Sequence, residues 1–271
     1  MSIDHNSVAA HYDANPATEW ARQERHRTEF VVTQHIITEY LPSSPANVMD
    51  IGGGPGRYAL WLAGQGHQVT LLDLSAGNLQ FAETQARAAG VQFTATVQGT
   101  ATDLHNFADA TFDAALLLGP LYHLGTLAER QRAVQEAKRV LKPGGILFAA
   151  FLNRLALIRY WARAEPTRLV QVEHIVDALL TTGLAPLPED SFAKVAYWAH
   201  PSEIEPLMEN CGLVQRALIN CEGIVADIEE KVNALQGEAW DAWVKLNVRL
   251  CCERELRGEA IHLLYVGQRP M

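Results

Sequence analysis

The chain has 271 residues, 48% hydrophobic and 20% charged, which is the composition of an ordinary folded globule. Its net charge of −9 argues against a general nucleic-acid-binding protein, because such proteins usually present a basic face. Residues 1–12 lack the apolar core of a signal peptide, and no apolar run reaches the length of a membrane span. The four cysteines show no CxxC spacing, so we expect reduced thiols in a cytoplasmic protein with no membrane and no nucleic-acid partner.

The N-terminal region, residues 1–44, predicts a helical cap. Residues 1–17 show no regular pattern, whereas Thr18 can cap a helix that continues to about Leu41. The second half of that helix has apolar residues at helical spacing, so we expect one of its faces to be buried. The stretch that begins at Pro42 contains two prolines and ends the helix.

From residue 46 the pattern alternates between strands and helices. The predicted strands lie at residues 47–51, 69–72, 91–97, 112–118 and 146–152. The predicted helices between them lie at residues 56–65, 76–89 and 127–141. Alternation of this kind predicts a parallel sheet with helices on both faces.

Beyond residue 153 the alternation becomes less regular. A helix over 155–164 and mixed signals over 165–198 indicate a segment inserted after the fifth strand. Further elements are predicted as helices at 201–210 and 238–257 and as strands at 213–221 and 261–266. The last strand follows a long helix, so it need not keep the parallel order of the earlier strands.

A glycine-rich turn follows the first strand. That strand ends in Asp50, and residues 52–56 contain four glycines within five positions. A strand, a glycine turn and a helix form a layout for binding a nucleotide-like cofactor, because a backbone without Cβ atoms can approach the ligand closely. The next strand ends in Asp73, where a carboxylate can accept hydrogen bonds from both hydroxyls of a ribose.

The same turn also matches G-x-G-x-x-A over residues 54–59, a pattern found in NAD-dependent oxidoreductases. Asp50 speaks against that cofactor, because an acid directly before the turn would repel a pyrophosphate. It can instead hold the turn or, through water, a cationic amino group. Asp103, before the fourth strand, and the turn Lys142-Pro143-Gly144-Gly145, before the fifth, also favour a different cofactor.

Five motifs in this order resemble the class I S-adenosylmethionine-dependent methyltransferases of the small-molecule type. They lie at residues 48–57, Asp73, 102–104, 112–124 and 141–145. The resemblance implies an α/β, Rossmann-like, doubly wound and mostly parallel seven-stranded sheet. It implies one domain with four parts: an N-terminal helical cap (1–44), a cofactor-binding core (45–152), an inserted lid (153–200) and C-terminal helices and strands that complete the sheet (201–271).

The resemblance also implies S-adenosylmethionine as the cofactor, S-adenosylhomocysteine as its product, and a set of binding residues. Asp73 would hold the ribose, Leu118 and Gly119 would lie beside the sulfonium, and Tyr12 would cover the cofactor as a lid. The adenine assignment is open by one residue, because Gly99-Thr100-Ala101 stands where many relatives have Gly-Asp-Ala. The full set is Tyr12, Asp50, Gly52, Gly53, Gly54, Gly56, Arg57, Asp73, Leu74, Asn78, Thr102, Asp103, Leu104, Leu118 and Gly119.

Methyl transfer from a sulfonium is an in-line displacement of a neutral leaving group, so the protein mainly has to align the acceptor. Alignment alone can supply roughly 7–11 kcal/mol. A base is needed only where the acceptor must lose a proton, and His123 has a suitable pKa for that role. The alternative for His123 is a structural histidine bonded to backbone. No metal-binding spacing is present.

The acceptor side of the site is less defined by the sequence. Arg22, Arg25 and Arg27 are candidates to steer an anionic substrate, and a solvated helix face with internal ion pairs is the alternative. For each aromatic residue proposed to contact the acceptor, packing in the protein core is the alternative role. The candidates for contact with the acceptor are Tyr122, Tyr160, Trp161, Tyr197 and His200.

We therefore predict an S-adenosylmethionine-dependent methyltransferase that acts on a small-molecule acceptor. Two alternatives stay open: an NAD-dependent oxidoreductase and a non-catalytic partner protein that binds S-adenosylmethionine. The identity of the acceptor is not encoded in any motif of the chain. A homodimer is compatible with the sequence, which does not determine the oligomeric state.

Overall fold

The computed structural model describes residues 5–187 and 196–271, and a mixed β-sheet lies at its centre. The strands are β1 (Asn47–Ile51), β2 (Gln68–Asp73), β3 (Ala95–Gln98), β4 (Phe112–Leu117), β5 (Leu141–Asn153), β6 (Trp198–Ala199), β7 (Val214–Asn220) and β8 (His262–Gln268). Along the sheet they follow the order β3-β2-β1-β4-β5-β8-β7, and β6 pairs with the end of β5. Strands β1 to β5 are parallel to their neighbours, whereas β8 is antiparallel to β5 and β7.

Helices cover both faces of this sheet. They are α1 (His5–Ala14), α2 (Pro16–Arg25), α3 (Arg27–Tyr40), α4 (Arg57–Gly64), α5 (Ala76–Ala88), α6 (Leu127–Val140), α7 (Arg154–Ala164), α8 (Leu169–Thr182), α9 (Pro201–Asn210), α10 (Glu229–Asn233) and α11 (Gly237–Leu250). The predicted α/β, Rossmann-like and mostly parallel fold is confirmed, with the short β6 as a strand beyond the seven predicted. No helix in the described part of the chain is long and apolar enough to cross a bilayer.

Two apolar cores fill the space between the sheet and its helices. Successive side chains of a strand point to opposite faces, so Met49 and Ile51 of β1 join one core and Val48 joins the other. The first core includes residues of α6 and α9, and the second includes residues of α3, α4 and α5. Because both faces are buried, the central strands are nearly continuous apolar runs, which made them recognisable in the sequence.

The N-terminal helices differ from the prediction. The expectation of an irregular start up to residue 17 is wrong, because α1 occupies most of it and α2 begins at Pro16. Proline suits a first helical turn, where its missing N–H removes no helical hydrogen bond. The expected single long helix is interrupted at His26, whose φ of −109° and ψ of 48° leave the helical region. Its Nδ1 lies 3.0 Å from Oε2 of Glu229, a long-range contact that local pattern cannot reveal.

Two further elements extend beyond their predicted bounds. Strand β5 begins at Leu141, because the residues predicted as a turn before it continue the strand beside β4 with a shift in register after Phe112. Helix α8 occupies residues for which the sequence gave mixed signals. It packs against α7 through Leu157, Trp161 and Ile175 in a separate apolar cluster. Residues 188–195 of the predicted lid lie outside the described part of the chain.

Candidate functional site

A cavity lies at the carboxyl ends of β1, β2 and β4, where parallel sheets of this kind usually bind ligands. The strand ends and the turns that follow them form one side. Helices α1 and α2 contribute residues to the other side, so the cavity is bounded by both the sheet and the N-terminal region. The predicted cofactor residues that line it are Tyr12, Asp50, Gly52, Gly53, Gly54, Arg57, Asp73, Leu74, Asn78, Leu118 and Gly119.

The glycine turn is fixed to the neighbouring strand by its backbone. The N–H groups of Gly52 and Gly53 donate to the carbonyl of Leu72 at 2.6 and 3.2 Å. A Cβ on Gly52 would lie only 2.4 Å from Cγ of Pro120, so no larger residue fits there without movement. Gly56 has a φ of 81° and precedes α4 outside the cavity lining, so its role in this structure is to begin the helix.

Asp73 holds the edge of the cavity together. Its Oδ2 accepts a hydrogen bond from the N–H of Gly54 at 2.8 Å, and its Oδ1 accepts from the N–H of Ser75 at 2.9 Å and Nδ2 of Asn78 at 3.3 Å. Burial raises the pKa of Asp73, and these three donors oppose the rise. The carboxylate therefore joins the glycine turn to the start of α5 while remaining part of the cavity wall.

Asp50 lies beneath the glycine turn and is almost fully buried, with 1% of its surface exposed. Burial, followed by the charge of Asp73, raises the pKa of Asp50 to about 7, although the N–H of Ala59 lowers it. Its Oδ2 has no hydrogen-bond partner among the described residues. A buried oxygen without a donor is costly, so a ligand that offers a donor or a positive charge here would be stabilised.

The turn after β3 lines the cavity with a segment three residues earlier than the predicted one. Gly99, Thr100 and Ala101 line the cavity, whereas the predicted 102–104 segment does not. Asp103 is exposed, and its Oδ1 lies 2.8 Å from Nδ1 of His105. Leu104 and Thr102 also lie outside the lining, with Leu104 in the apolar core.

Two aromatic residues and a histidine meet at the far end of the cavity. The hydroxyl of Tyr12, from α1, lies 2.8 Å from Nε2 of His123, which belongs to the 3-10 turn Pro120–His123 after β4. Burial raises the pKa of Tyr12, and it raises the pKa of Tyr122 to about 12. Both phenols are therefore neutral at physiological pH and can donate hydrogen bonds.

The other acceptor candidates lie outside the cavity lining. Tyr160 is exposed, and Trp161 is buried in the cluster between α7 and α8. The hydroxyl of Tyr197 donates to Glu203 at 2.7 Å, and Nδ1 of His200 accepts from the N–H of Ser202 at the start of α9. Trp161, Tyr197 and His200 thus have structural partners in this arrangement, whereas Tyr160 is exposed, and contact of any of the four with an acceptor stays a prediction.

Several cavity residues were not identified, or not singled out, from the sequence. Arg22 was one of three candidate arginines, and it lines the cavity whereas Arg25 and Arg27 do not. Glu19 and Glu29 also line it. No signal in the sequence singled out Glu29, because it stands in a stretch dense in charged residues. The remaining unpredicted lining residues are Val8, Pro55, Tyr58, Leu72, Pro120 and Leu124.

Known proteins resemble this chain in both sequence and fold. A family model described as "Methyltransferase domain" matches residues 49–149. The tRNA 5-carboxymethoxyuridine methyltransferase of Escherichia coli K12 is 34% identical over 131 residues, which cover 46% of this chain and 47% of that protein. The ubiquinone biosynthesis O-methyltransferase of Rickettsia prowazekii is 23% identical over 86% of this chain and 80% of that protein.

The match to the first curated relatives is partial, since it spans 3% of a chondramide synthase from Chondromyces crocatus and about half of the tRNA enzyme. Solved structures match over more of their length. A methyltransferase from Methanosarcina mazei has a TM-score of 0.60 at 23% identity, covering 87% of this chain and 97% of its own. A putative methyltransferase in complex with the Haloferax volcanii activator Trm112 has a TM-score of 0.60 at 20% identity, covering 96% and 98%.

Proposed function

Because the chain belongs to the class I S-adenosylmethionine-dependent methyltransferase family, we propose that it transfers the methyl group of this cofactor to a small-molecule acceptor. The proposal is based mainly on two carboxylates, Asp50 and Asp73, that lie on either side of the glycine turn. One carboxylate lies in the cavity wall at the end of β2, and the other has a buried oxygen without a donor. In the proposed complex the first carboxylate would accept from the cofactor's ribose and the second from its amino group.

The residues present fit this cofactor. Asp73 would accept hydrogen bonds from the ribose hydroxyls, and Gly99, Thr100 and Ala101, which line the same cavity, would contact the adenine. Asp50 offers its unpaired oxygen toward the methionine end, where a cationic amino group would offset the cost of its charge. The lack of a side chain on Gly52 keeps the backbone open to close approach.

When bound, S-adenosylmethionine supplies a methyl group already activated by a positive sulfur. The task that remains for the chain is to hold the acceptor in line and to exclude water. Leu118 and Gly119, which follow β4 in the cavity lining, would form the wall beside the reacting end, and Tyr12 from α1 would cover it. Alignment by such contacts contributes roughly 7–11 kcal/mol to lowering the barrier in well-oriented reactions.

For an acceptor that must lose a proton, we assign His123 as the group that takes it. Its Nε2 lies at the cavity and 2.8 Å from the hydroxyl of Tyr12. A neutral imidazole has the intrinsic pKa of a general base near pH 7. Because an unprotonated Nε2 has a single lone pair, an acceptor hydroxyl would have to replace the Tyr12 hydroxyl at this nitrogen to transfer its proton.

A small acceptor is favoured over a nucleic acid by the charge of the chain. The chain carries a net charge of −9, and among the described residues two arginines, Arg22 and Arg57, line the cavity. One relative acts on tRNA by its name, so tRNA is the alternative to test. Free thiols at all four cysteines support the proposed cytoplasmic location.

The proposal is tested by calorimetric titration of the purified chain with S-adenosylhomocysteine and with NAD. Micromolar binding of the first and none of the second are expected. Binding of NAD instead would favour an oxidoreductase. Methyl transfer from labelled S-adenosylmethionine is then measured against a small-molecule library and against bulk tRNA. Labelled tRNA without a labelled small product would overturn the small-molecule assignment, and cofactor binding with no transfer to any acceptor would favour a non-catalytic partner protein.

A further inference from the structure

His123 lies on a short 3-10 turn, Pro120–His123, between β4 and α6. Turns of this kind have poorer hydrogen-bond geometry than an α-helix, so they contribute little rigidity of their own. A residue that presents one ring nitrogen to a ligand needs supporting contacts that fix its backbone and its ring. The groups that hold this turn therefore determine where Tyr122 and His123 lie in the cavity wall.

Arg130, on α6, holds the carboxyl-terminal side of the turn. Its Nη1 donates to the carbonyl of Leu124, the residue directly after the turn, at 2.7 Å. Arg130 is buried, and its Nε has no hydrogen-bond partner among the described residues. Burying a guanidinium is costly, and an apolar side chain of similar length would pack in its place at lower cost. The contact with the turn is what distinguishes an arginine at this position.

Tyr197 holds the other side of the turn through its backbone. Its N–H donates to the carbonyl of Tyr122 at 2.6 Å. Tyr197 lies between α8 and α9, directly before β6. A Cβ on Gly183 would lie only 2.5 Å from Cε2 of Tyr197, so the ring packs directly against the backbone at the end of α8. The two carbonyls that flank His123 are thus bound from two different elements.

The two residues that hold the turn also contact each other. Cζ of Arg130 lies 3.5 Å from the centroid of the Tyr197 ring, which is the position of a guanidinium over an aromatic face. The hydroxyl of Tyr197 donates to Oε2 of Glu203 at 2.7 Å. Nη2 of Arg154 donates to both oxygens of Glu203 at 2.9 Å, and Arg154 is itself buried. The ring that supports Arg130 is therefore fixed at its hydroxyl end.

We propose that Arg130 and Tyr197 are positioning residues that fix the direction of the His123 imidazole in the cavity. Neither residue lines the cavity, so both act through the backbone on either side of His123. The inference rests on the proposed methyltransferase function for the role of His123 as a base, whereas the fixed ring is a property of the free chain. With the turn held, Nε2 of His123 stays within 2.8 Å of the Tyr12 hydroxyl.

The protonation of the ring gives a direct readout of this positioning. A neutral His123 that accepts a hydrogen bond from Tyr12 at Nε2 carries its proton on Nδ1. A neutral imidazole free in water instead favours the proton on Nε2. A turn that loses its support would release the ring from Tyr12, and the proton would exchange between the two nitrogens or move to Nε2.

The test records the side-chain nitrogen-15 resonances of His123 at the alkaline end of a pH titration, assigned with His123→Gln. Arg130→Met removes the donor to Leu124, and Arg130→Lys keeps a donor without the planar face. Tyr197→Leu removes the ring that supports the guanidinium. Tyr197→Phe keeps the ring and the backbone N–H but loses the bond to Glu203. Arg249→Met, at an exposed position of α11, is the control for charge.

We expect wild type and Arg249→Met to show well-separated Nδ1 and Nε2 resonances with the proton on Nδ1. Arg130→Met and Tyr197→Leu should lose this separation, and Arg130→Lys should keep part of it. Tyr197→Phe should have a lower Tm than wild type with unchanged His123 resonances, because it loses a hydrogen bond but keeps both contacts with the turn. If Arg130→Met does not fold, Tyr197→Leu and Arg130→Lys decide the same question.

Three results would overturn the assignment. The first is a wild-type His123 whose proton lies on Nε2 or is averaged between the nitrogens, because the ring would then not be fixed. The second is a wild-type pattern retained in the folded Arg130 variants and in Tyr197→Leu. The third is an equal loss of separation in Tyr197→Phe, which would show general loosening of the fold. Failure of wild type to bind S-adenosylhomocysteine is distinct, since it would contradict the proposed function and leave the resonances of His123 measurable.

Discussion

Asp73 illustrates how one carboxylate serves both the fold and the proposed cofactor. It accepts three hydrogen bonds from the chain and still lines the cavity. We predict that Asp73→Ala weakens S-adenosylhomocysteine binding roughly tenfold or more, since a hydrogen bond to a charged group contributes about 1.5–3 kcal/mol. Asp103→Ala is the matched control, because Asp103 is exposed and outside the cavity. Calorimetric titration that shows equal losses for both variants would contradict the ribose assignment.

The raised pKa of Asp50 leads to a prediction of how stability and ligand affinity depend on pH. Its pKa of about 7 in the free protein lies above the ordinary value of 3.8, so the folded chain binds this proton more tightly than the unfolded chain. Ionisation of Asp50 therefore lowers stability as pH rises from about 4 through 7. A cationic cofactor group near Asp50 would favour the carboxylate, so binding at pH 6 should release a proton and affinity should rise with pH up to about 7.

The proton release is measured by calorimetric titration with S-adenosylhomocysteine at pH 6 in two buffers with different heats of ionisation. Asp50→Asn is the matched variant, because it keeps the shape and removes the titration. Its binding heat should be the same in both buffers. Equal proton release by wild type and Asp50→Asn would place the titrating group elsewhere.

The site residues that could be predicted from the sequence are those whose position depends on a short local segment. Asp50, Gly52 and Asp73 stand directly at strand ends, so local pattern was enough to place them. Arg22 could not be separated from Arg25 and Arg27 in the same way. Which arginine enters the cavity depends on His262, which is 240 residues away.

At the scale of elements, α1 is held to the site by its C-terminal end. Oδ1 of Asp13 accepts a hydrogen bond from Oγ of Ser75 at 2.5 Å and from the N–H of Gly77 at 3.0 Å. A carboxylate at the N-terminus of α5 is favourable, because that end of a helix has free N–H groups and a positive dipole. This contact places Tyr12, the preceding residue, at the cavity.

We predict that Asp13→Ala loosens α1 and speeds the release of S-adenosylhomocysteine several-fold, with a smaller effect on its association. Asp13→Asn should retain most of the wild-type behaviour, because its amide oxygen can still accept both hydrogen bonds. Stopped-flow displacement gives the release rate, and hydrogen exchange reports the opening of α1. An unchanged release rate in Asp13→Ala would mean that α1 does not control the exit of the ligand.

The elements also show where sequence patterns fail. The residues of α1 have no marked apolar stripe, and most short helices of this kind depend on tertiary contacts for their stability. Strands β1, β2 and β4 were predictable because they are buried on both faces and bounded by turn residues. The role of α7 and α8 as a lid stays a prediction, since Trp161 packs between the two helices and Tyr160 is exposed, and neither lines the cavity.

At the scale of the whole molecule, alternation of strands and helices predicted the parallel half of the sheet. The same alternation could not give the direction of β8, which inserts between β5 and β7 in antiparallel orientation. That insertion has a consequence for the site. It brings His262 of the C-terminal strand within 2.9 Å of Arg22, so a cavity residue from α2 is held by a residue near the other end of the chain.

Helix α10, in the C-terminal part of the chain, also contacts the N-terminal helices α2 and α3. Asn233 is buried, and its Oδ1 accepts hydrogen bonds from the N–H and hydroxyl of Thr28 at 3.1 and 2.8 Å. Its Nδ2 donates to the carbonyl of Arg25 at 2.6 Å. The amide therefore bridges the junction of α2 and α3, which carry Arg22 and Glu29 into the cavity.

We predict that Asn233→Ala lowers the free energy of unfolding by about 1–3 kcal/mol, the cost of leaving buried polar groups without partners. Because the lost contacts position α2, S-adenosylhomocysteine should also restore less stability to this variant than to wild type at equal ligand concentration. Urea unfolding with and without the ligand measures both effects. Asn106→Ala, at an exposed turn, is the control, and a variant indistinguishable from it would show that the two ends fold and bind independently.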